Sequence, residues 1–185
     1  KYRDRAKVVR EAFQQKFYDS ETGLCSTGSQ TSYAMALYTG ILPEQDTEKV
    51  FENLIDSIKQ HDYALTAGDI GYHFLVRVLS EKGRSDILYK MNNRSDKPGY
   101  GLQIKKGATS LTESWAALPN VSNLHMMLGH LMEWFYSGLG GIYQTENSVG
   151  YRDIIIAPKP VGEVEWSKCS YNSPKGIIRS EWEMK

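Results

Sequence analysis

The sequence predicts a mainly α protein, a body of paired helices followed by the first strands of a β domain. Three observations predict it. Through most of the 185 residues, apolar side chains recur at steps of three and four, the spacing of a helix face. After Gly150 the step changes to two, the spacing of a strand. Hydrophobic residues make up 41% and charged residues 24%, the composition of a globular chain. A chain of this length can bury a core without help from disulfides or a metal.

Each element has its own signal. Tyr2, Ala6, Val9, Phe13 and Phe17 form the stripe of an opening helix, and the turn Asp19-Ser20-Glu21-Thr22-Gly23 closes it. Residues 30–38, rich in Ala, Met and Leu, form a second helix that Gly40 ends. Pro43 suits the first turn of a third, where Phe51, Leu54, Ile55 and Ile58 follow at i, i+3, i+4 and i+7. Phe74, Leu75, Val78 and Leu79 mark a fourth over 71–80, and a short fifth lies near 86–91. Residues 92–121 read as a long loop.

The last helix, over 122–139, is apolar on nearly every side through Leu124, Met126, Met127, Leu128, Leu131, Met132, Trp134 and Phe135. That pattern predicts burial on more than one face, with its Met and Trp side chains as core. Gly138-Leu139-Gly140-Gly141 stops it.

Asp153-Ile154-Ile155-Ile156-Ala157 is a compact strand punctuated by Pro158 and Pro160. Residues 164–170 and 176–184 alternate, with Val164 and Trp166 on one face, then Ile178, Trp182 and Met184 on one face of the next strand. Asn172-Ser173-Pro174-Lys175-Gly176 joins them. Three strands rarely stand alone, so the β region reads as truncated, with a helical unit over 1–143 and a β unit over 144–185.

Charge and composition exclude several functions. The 22 Lys+Arg balance 22 Asp+Glu, leaving no basic excess for counterion release and arguing against nucleic acid as a partner. No apolar run approaches the ~20 residues of a membrane span. Cys25 and Cys169 lie far apart with no CxxC, so neither a zinc ribbon nor a thioredoxin-type site is expected. The chain opens at Lys1 inside a charged helical pattern with no initiator Met or leader, and it reads as a piece of a longer protein. Its ends therefore carry no address.

GxGxxG, P-loop, HExxH and GxSxG signatures are absent. His125 and His130 are five positions apart, about 140° round a helix, so they cannot share a metal as an i, i+4 pair would. Neither a metal nor a cofactor is expected. The informative stretch is Gly107-Ala108-Thr109-Ser110-Leu111-Thr112-Glu113-Ser114-Trp115. A carboxylate among small hydroxyl residues, followed by Trp, is where a carbohydrate enzyme places an acid or base. The reaction needs carboxyl groups because its transition state is oxocarbenium-like and protons move on both sides of the scissile bond. Residue chemistry alone leaves two readings of Glu113, a catalytic carboxylate and a solvated surface one. His125 is a core histidine satisfied by a carbonyl or a hydrogen-bond partner for a sugar hydroxyl. Tyr100, in Pro98-Gly99-Tyr100-Gly101, lines a pocket or packs on the body.

The ordered set of motifs resembles the C-terminal part of the catalytic domain of bacterial α-L-rhamnosidases, glycoside hydrolase family 78. The matching pieces begin with Gln30-Thr31, Ala34, Ala36 and Leu37, then Leu65-Thr66-Ala67-Gly68 with Gly71. Gly83-Arg84-Ser85-Asp86 leads into Pro98-Gly99-Tyr100 and the Glu113 stretch, followed by Ser122 through His125. Leu128-Gly129, Glu133-Trp134, Gly141-Ile142 and Gly150-Tyr151 complete the series.

The resemblance implies a partial (α/α)6 barrel followed by the first strands of a β-sandwich. It implies a rhamnosyl glycoside as substrate, Glu113 as general base, His125 as a contact to the bound sugar, and Trp115 and Tyr100 as pocket residues. It slightly favours a periplasmic or extracellular compartment. Ser110 stands where the family has a second Thr, Thr112 where Trp is usual, Leu124 where Asn is usual, and Tyr100 where Trp is common. The family's general acid lies in an Asp-x-x-x-Glu-Arg-type motif that this sequence lacks. An inverting enzyme needs two carboxyl groups ~6.5–9.5 Å apart, so this chain is expected to carry only the water-activating half. Half a barrel also leaves helix faces without partners, which predicts self-association of the isolated piece. Two other classes remain: a different sugar-processing enzyme on the same barrel, and a carbohydrate-binding relative without chemistry.

Overall fold

A computed structural model describes residues 1–115 and 121–185. Seven helices come first: α1 (Tyr2–Phe17), α2 (Gln30–Tyr38), α3 (Thr47–Gln60), α4 (Asp69–Glu81), α5 (Ser85–Asn92), α6 (Tyr100–Lys105) and α7 (Leu131–Trp134). A two-residue ladder of β1 (Tyr18–Asp19) with β2 (Leu24–Cys25) closes the turn after α1. Two antiparallel hairpins end the chain. In one, β3 (Ile142–Gln144) pairs with β4 (Ile154–Ile156); in the other, β5 (Trp166–Ser173) pairs with β6 (Gly176–Glu183).

The apolar spacing of α3 and α4 puts Val50, Phe51, Leu54, Ile55 and Ile58 against Tyr72, Leu75, Val76 and Leu79, all buried in one cluster with Ile87, Leu88 and Met91 of α5. Each such aliphatic side chain stabilises the fold by ~1.5–3 kcal/mol. Ser29 caps α2 by accepting the Ser32 N–H at 3.2 Å. Where α2 crosses α4, Gly71 faces Thr31 so closely that a Cβ there would overlap the Thr31 side chain. That glycine sets how near the two helices come.

Two expectations fail, and the opening helix forms without burying its stripe. Residues 92–121 contain α6, a helix too short for a clear apolar period. The opening stripe forms, yet no residue of α1 is buried and Val9 is 49% exposed. The last helix is broken. Residues 122–125 are not helical, a 3₁₀ turn covers Met126–Leu128, and the short α7 runs into a π-helical turn over Phe135–Leu139. From that π-helical turn, the Ser137 hydroxyl donates back to the Glu133 carbonyl of α7 at 2.8 Å, a contact that competes with the helical ladder. Leu128, Leu131 and Trp134 are core, whereas Leu124 and Met126 are 86% and 81% exposed.

In the β region, β3 is a strand that the alternation did not mark, and Trp166 is 61% exposed. The β region leans on the end of the π-helical turn that follows α7 and on the glycines after it. The Trp182 indole N–H donates to the Leu139 carbonyl at 2.7 Å, and Ala157 N–H donates to Gly141 at 2.8 Å. Both cysteines are free thiols.

Candidate functional site

The site grows from a pinned loop. Gln30 is fully buried; its amide donates to the Ala64 carbonyl at 3.0 Å and its carbonyl accepts the Thr66 N–H at 3.1 Å. The Trp115 indole N–H donates to Ala67 at 2.7 Å, and Leu65 N–H donates to Pro98 at 3.1 Å. These four hydrogen bonds pair polar groups that the loop buries, as burial requires. The chain then enters α4 at Asp69, whose position on that helix is fixed from behind.

Opposite it, Leu111–Glu113 and Ser122–His125 lie side by side. Glu113 N–H donates to the Ser122 carbonyl at 2.9 Å, and His125 N–H donates to the Leu111 carbonyl at 2.9 Å. The Ser110 hydroxyl donates to the Asn123 carbonyl. The Ser122 N–H turns back onto Glu113 Oε2 at 3.2 Å. The side chain of Glu113 is exposed, so its carboxylate is held by one oxygen and meets water. His125 is held in extended backbone rather than on a helix face, and its ring stands with Nε2 3.5 Å from Asp69 Oδ2. That nitrogen is buried and has no hydrogen-bond partner among the described residues.

Trp115 and Tyr100 lie beneath this surface. Trp115 is 6% exposed, and its ring meets Tyr72 at 4.9 Å and Tyr100 at 5.3 Å, both edge-on. The Tyr100 hydroxyl donates to the Leu128 carbonyl, and burial pushes its pKa up to about 12. Burial also holds the Tyr72 phenol well above its ordinary value. Tyr100 lines an apolar cavity of about 550 Å³ with Leu111, Leu131 and Trp134; neither Glu113 nor His125 borders it. Among the described residues, no group of three His, Cys, Asp or Glu side chains could hold a metal ion.

Asp69 was not legible as a site residue. It sits between Gly68 and Gly71 of a motif read for its glycines, and only the fold brings it to His125. The one available signal was an acidic side chain in the first turn of α4, which its helix dipole alone explains.

Residues 1–139 match the family described as the bacterial alpha-L-rhamnosidase 6 hairpin glycosidase domain, and residues 141–185 match the bacterial alpha-L-rhamnosidase C-terminal domain. The chain belongs to the bacterial α-L-rhamnosidase family. An alpha-L-rhamnosidase of Formosa agariphila is 30% identical over 188 residues, covering 97% of this chain and 20% of that protein. The crystal structure of Streptomyces avermitilis alpha-L-rhamnosidase complexed with L-rhamnose superposes with a TM-score of 0.91 at 27% identity, over 100% of this chain and 18% of that one. Alpha-L-rhamnosidase from Dictyoglumus thermophilum gives 0.86 at 30% identity, over 100% of this chain and 21% of that one. The chain thus spans about a fifth of the length of these rhamnosidases. Its helices are part of the family's (α/α)6 barrel and its strands begin the β-sandwich that follows. No helix among the described residues is long and apolar enough to cross a membrane.

Proposed function

We propose that the protein carrying this chain hydrolyses terminal α-L-rhamnosyl linkages with inversion, and that this chain supplies the general base. Glu113, ionised, takes a proton from water as the water oxygen bonds to the anomeric carbon. A carboxylic acid elsewhere in the protein protonates the departing glycosidic oxygen as its bond to that carbon breaks. His125 donates or accepts a hydrogen bond at a sugar hydroxyl, with Asp69 orienting the ring. Tyr100 and Trp115 take part as the aromatic layer on which the Glu113 stretch rests.

The observation that carries this reading is the clasp between Glu113 and Ser122. It presents a carboxylate to solvent on a restrained backbone, next to a histidine whose buried nitrogen is unpaired among the described residues. A base must keep its geometry while the water approaches, and one backbone contact with one backbone-to-carboxylate contact supplies that. The alternative of a binding relative without chemistry would need no such restraint.

The test is the hydrolysis of p-nitrophenyl α-L-rhamnoside by the full-length protein, followed by proton NMR of the anomer first released. Release of β-L-rhamnose supports inversion. The α-anomer as first product, or cleavage only of other glycosides in a chromogenic panel, would overturn the reading.

A further inference from the structure

The other end of α4 borders a second cavity. Asp69 and Arg77 are both on α4, and their eight-residue separation is ~12 Å along the axis at 1.5 Å per residue. Beside Arg77, where α7 meets the strands, lies a space of about 610 Å³ lined in part by Glu133, Tyr136, Gln144, Tyr151 and Tyr171. Neither Glu113 nor His125 borders it. Its size falls within the ~300–1,000 Å³ typical of small-molecule sites.

Three features distinguish it from an ordinary seam. The rings of Tyr151 and Tyr171 lie 4.4 Å apart at 41°, and Tyr136 meets Tyr171 edge-on at 6.4 Å. Tyr151 holds a left-handed backbone, φ 57°, with its N–H on Gln144 Oε1 at 3.2 Å. A bulky residue in that region is strained, and strain of this kind gathers at functional sites. Arg77 pairs with Glu133 at 2.5 Å and with Glu81 at 3.0 Å, while its buried Nε has no hydrogen-bond partner among the described residues.

The lining also selects a ligand. Flat phenol rings suit the C–H face of a pyranose, and Gln144 with the Arg77–Glu133 pair offers both donors and acceptors to hydroxyl groups. Against the single positive charge of Arg77 the cavity sets Glu133 and Glu146, so an anionic sugar or a phosphate is disfavoured. We propose that this cavity is a carbohydrate subsite for a neutral pyranose, separate from the Glu113 site. The choice of a sugar as ligand rests on the rhamnosidase reading; the separateness of the site does not.

The experiment labels the full-length protein with fluorotyrosine, assigns the fluorine resonances with Tyr→Phe variants, and titrates methyl α-L-rhamnopyranoside and methyl α-D-glucopyranoside. Saturable shifts at Tyr151 and Tyr171 are expected, unchanged in His125→Ala. Tyr171→Ala weakens the binding by roughly fivefold or more, since the ring contact is lost, while Tyr171→Phe keeps it within about twofold because the aromatic face remains. Absence of saturable shifts with either glycoside overturns the proposal. So does binding that His125→Ala abolishes and Tyr171→Ala spares. Shifts with the glucoside alone assign the subsite and count against the rhamnosyl reading instead.

Discussion

His125 Nε2 stands 3.5 Å from Asp69 Oδ2, across the gap between α4 and the Ser122–His125 segment. The carboxylate stands beside the imidazole, whose buried Nε2 has no hydrogen-bond partner among the described residues, and under the proposed function that nitrogen meets a sugar hydroxyl. In the full-length protein, His125→Ala is expected to raise KM by ~10-fold, the worth of one hydrogen bond. Asp69→Asn should raise it less, and should add nothing in the His125→Ala background. Additive effects on KM in the double variant would show that the two residues act apart.

The crossing of α2 and α4 makes a second prediction. A methyl group at Gly71 would meet the Thr31 side chain. Gly71→Ala therefore destabilises by ~1–3 kcal/mol through overpacking, despite the better helix propensity of Ala. Trimming the opposing side chain with Thr31→Ala should restore part of the loss. Thermal denaturation of the two single variants and the double variant checks this, and simple additivity would contradict it.

Arg94 ties the loop before α6 to the end of α3. Its guanidinium meets Asp96 at 2.6 and 2.8 Å and Asp62 at 3.2 Å. Hydrogen bonding to Arg94 lowers the Asp62 carboxyl below its usual range and brings Asp96 down to about 2. Depressed carboxyl values in the folded state mean that this contribution to stability is complete above the unfolded value of ~4. It is lost as pH falls through the folded values. Arg94→Met should flatten the stability profile between about pH 4 and 2, read by denaturant midpoints across that range. An unchanged acid limb would remove the cluster from the account.

Exposed apolar side chains predict the behaviour of the chain when isolated. Ile104 is 71% exposed, Leu124 86%, Met126 81% and Val149 80%. Together with the apolar cavity beside Tyr100, they leave apolar surface open to a second copy of the chain. Light scattering of the isolated chain should report self-association, and rhamnoside turnover should be absent. A monodisperse, active monomer would contradict both the self-association and the placement of the acid outside this chain.

How much of this was legible depends on the range of the interactions involved. The helices α2 through α5 follow from local spacing, because Phe51, Leu54, Ile55 and Ile58 write their burial into a 3.6-residue period. The hydrophobic content of 122–139 is just as strong, but its conformation answers to partners distant in sequence. Ser122 and His125 are drawn into pairing with Glu113 and Leu111, and the helix shrinks accordingly. Glu113 stood out because a carboxylate among small hydroxyl residues followed by Trp has a chemical reading. Asp69 did not, since its partner lies 56 positions away in sequence. The free side of α1 was invisible for the converse reason: an apolar stripe says that a face is fit for burial, not what covers it.

The proposed chemistry turns on Glu113 as the base. Its most direct test compares kcat of the full-length protein and its Glu113→Gln variant on p-nitrophenyl α-L-rhamnoside, with circular dichroism to confirm an unchanged fold. Removing a general base should lower kcat by ~10²–10⁴-fold, with KM for the glycoside nearly constant because the neutral amide keeps the same shape and the Ser122 N–H contact. Turnover within a few-fold of wild type would take Glu113 out of the mechanism and leave the Ser122 clasp as a structural feature of the loop.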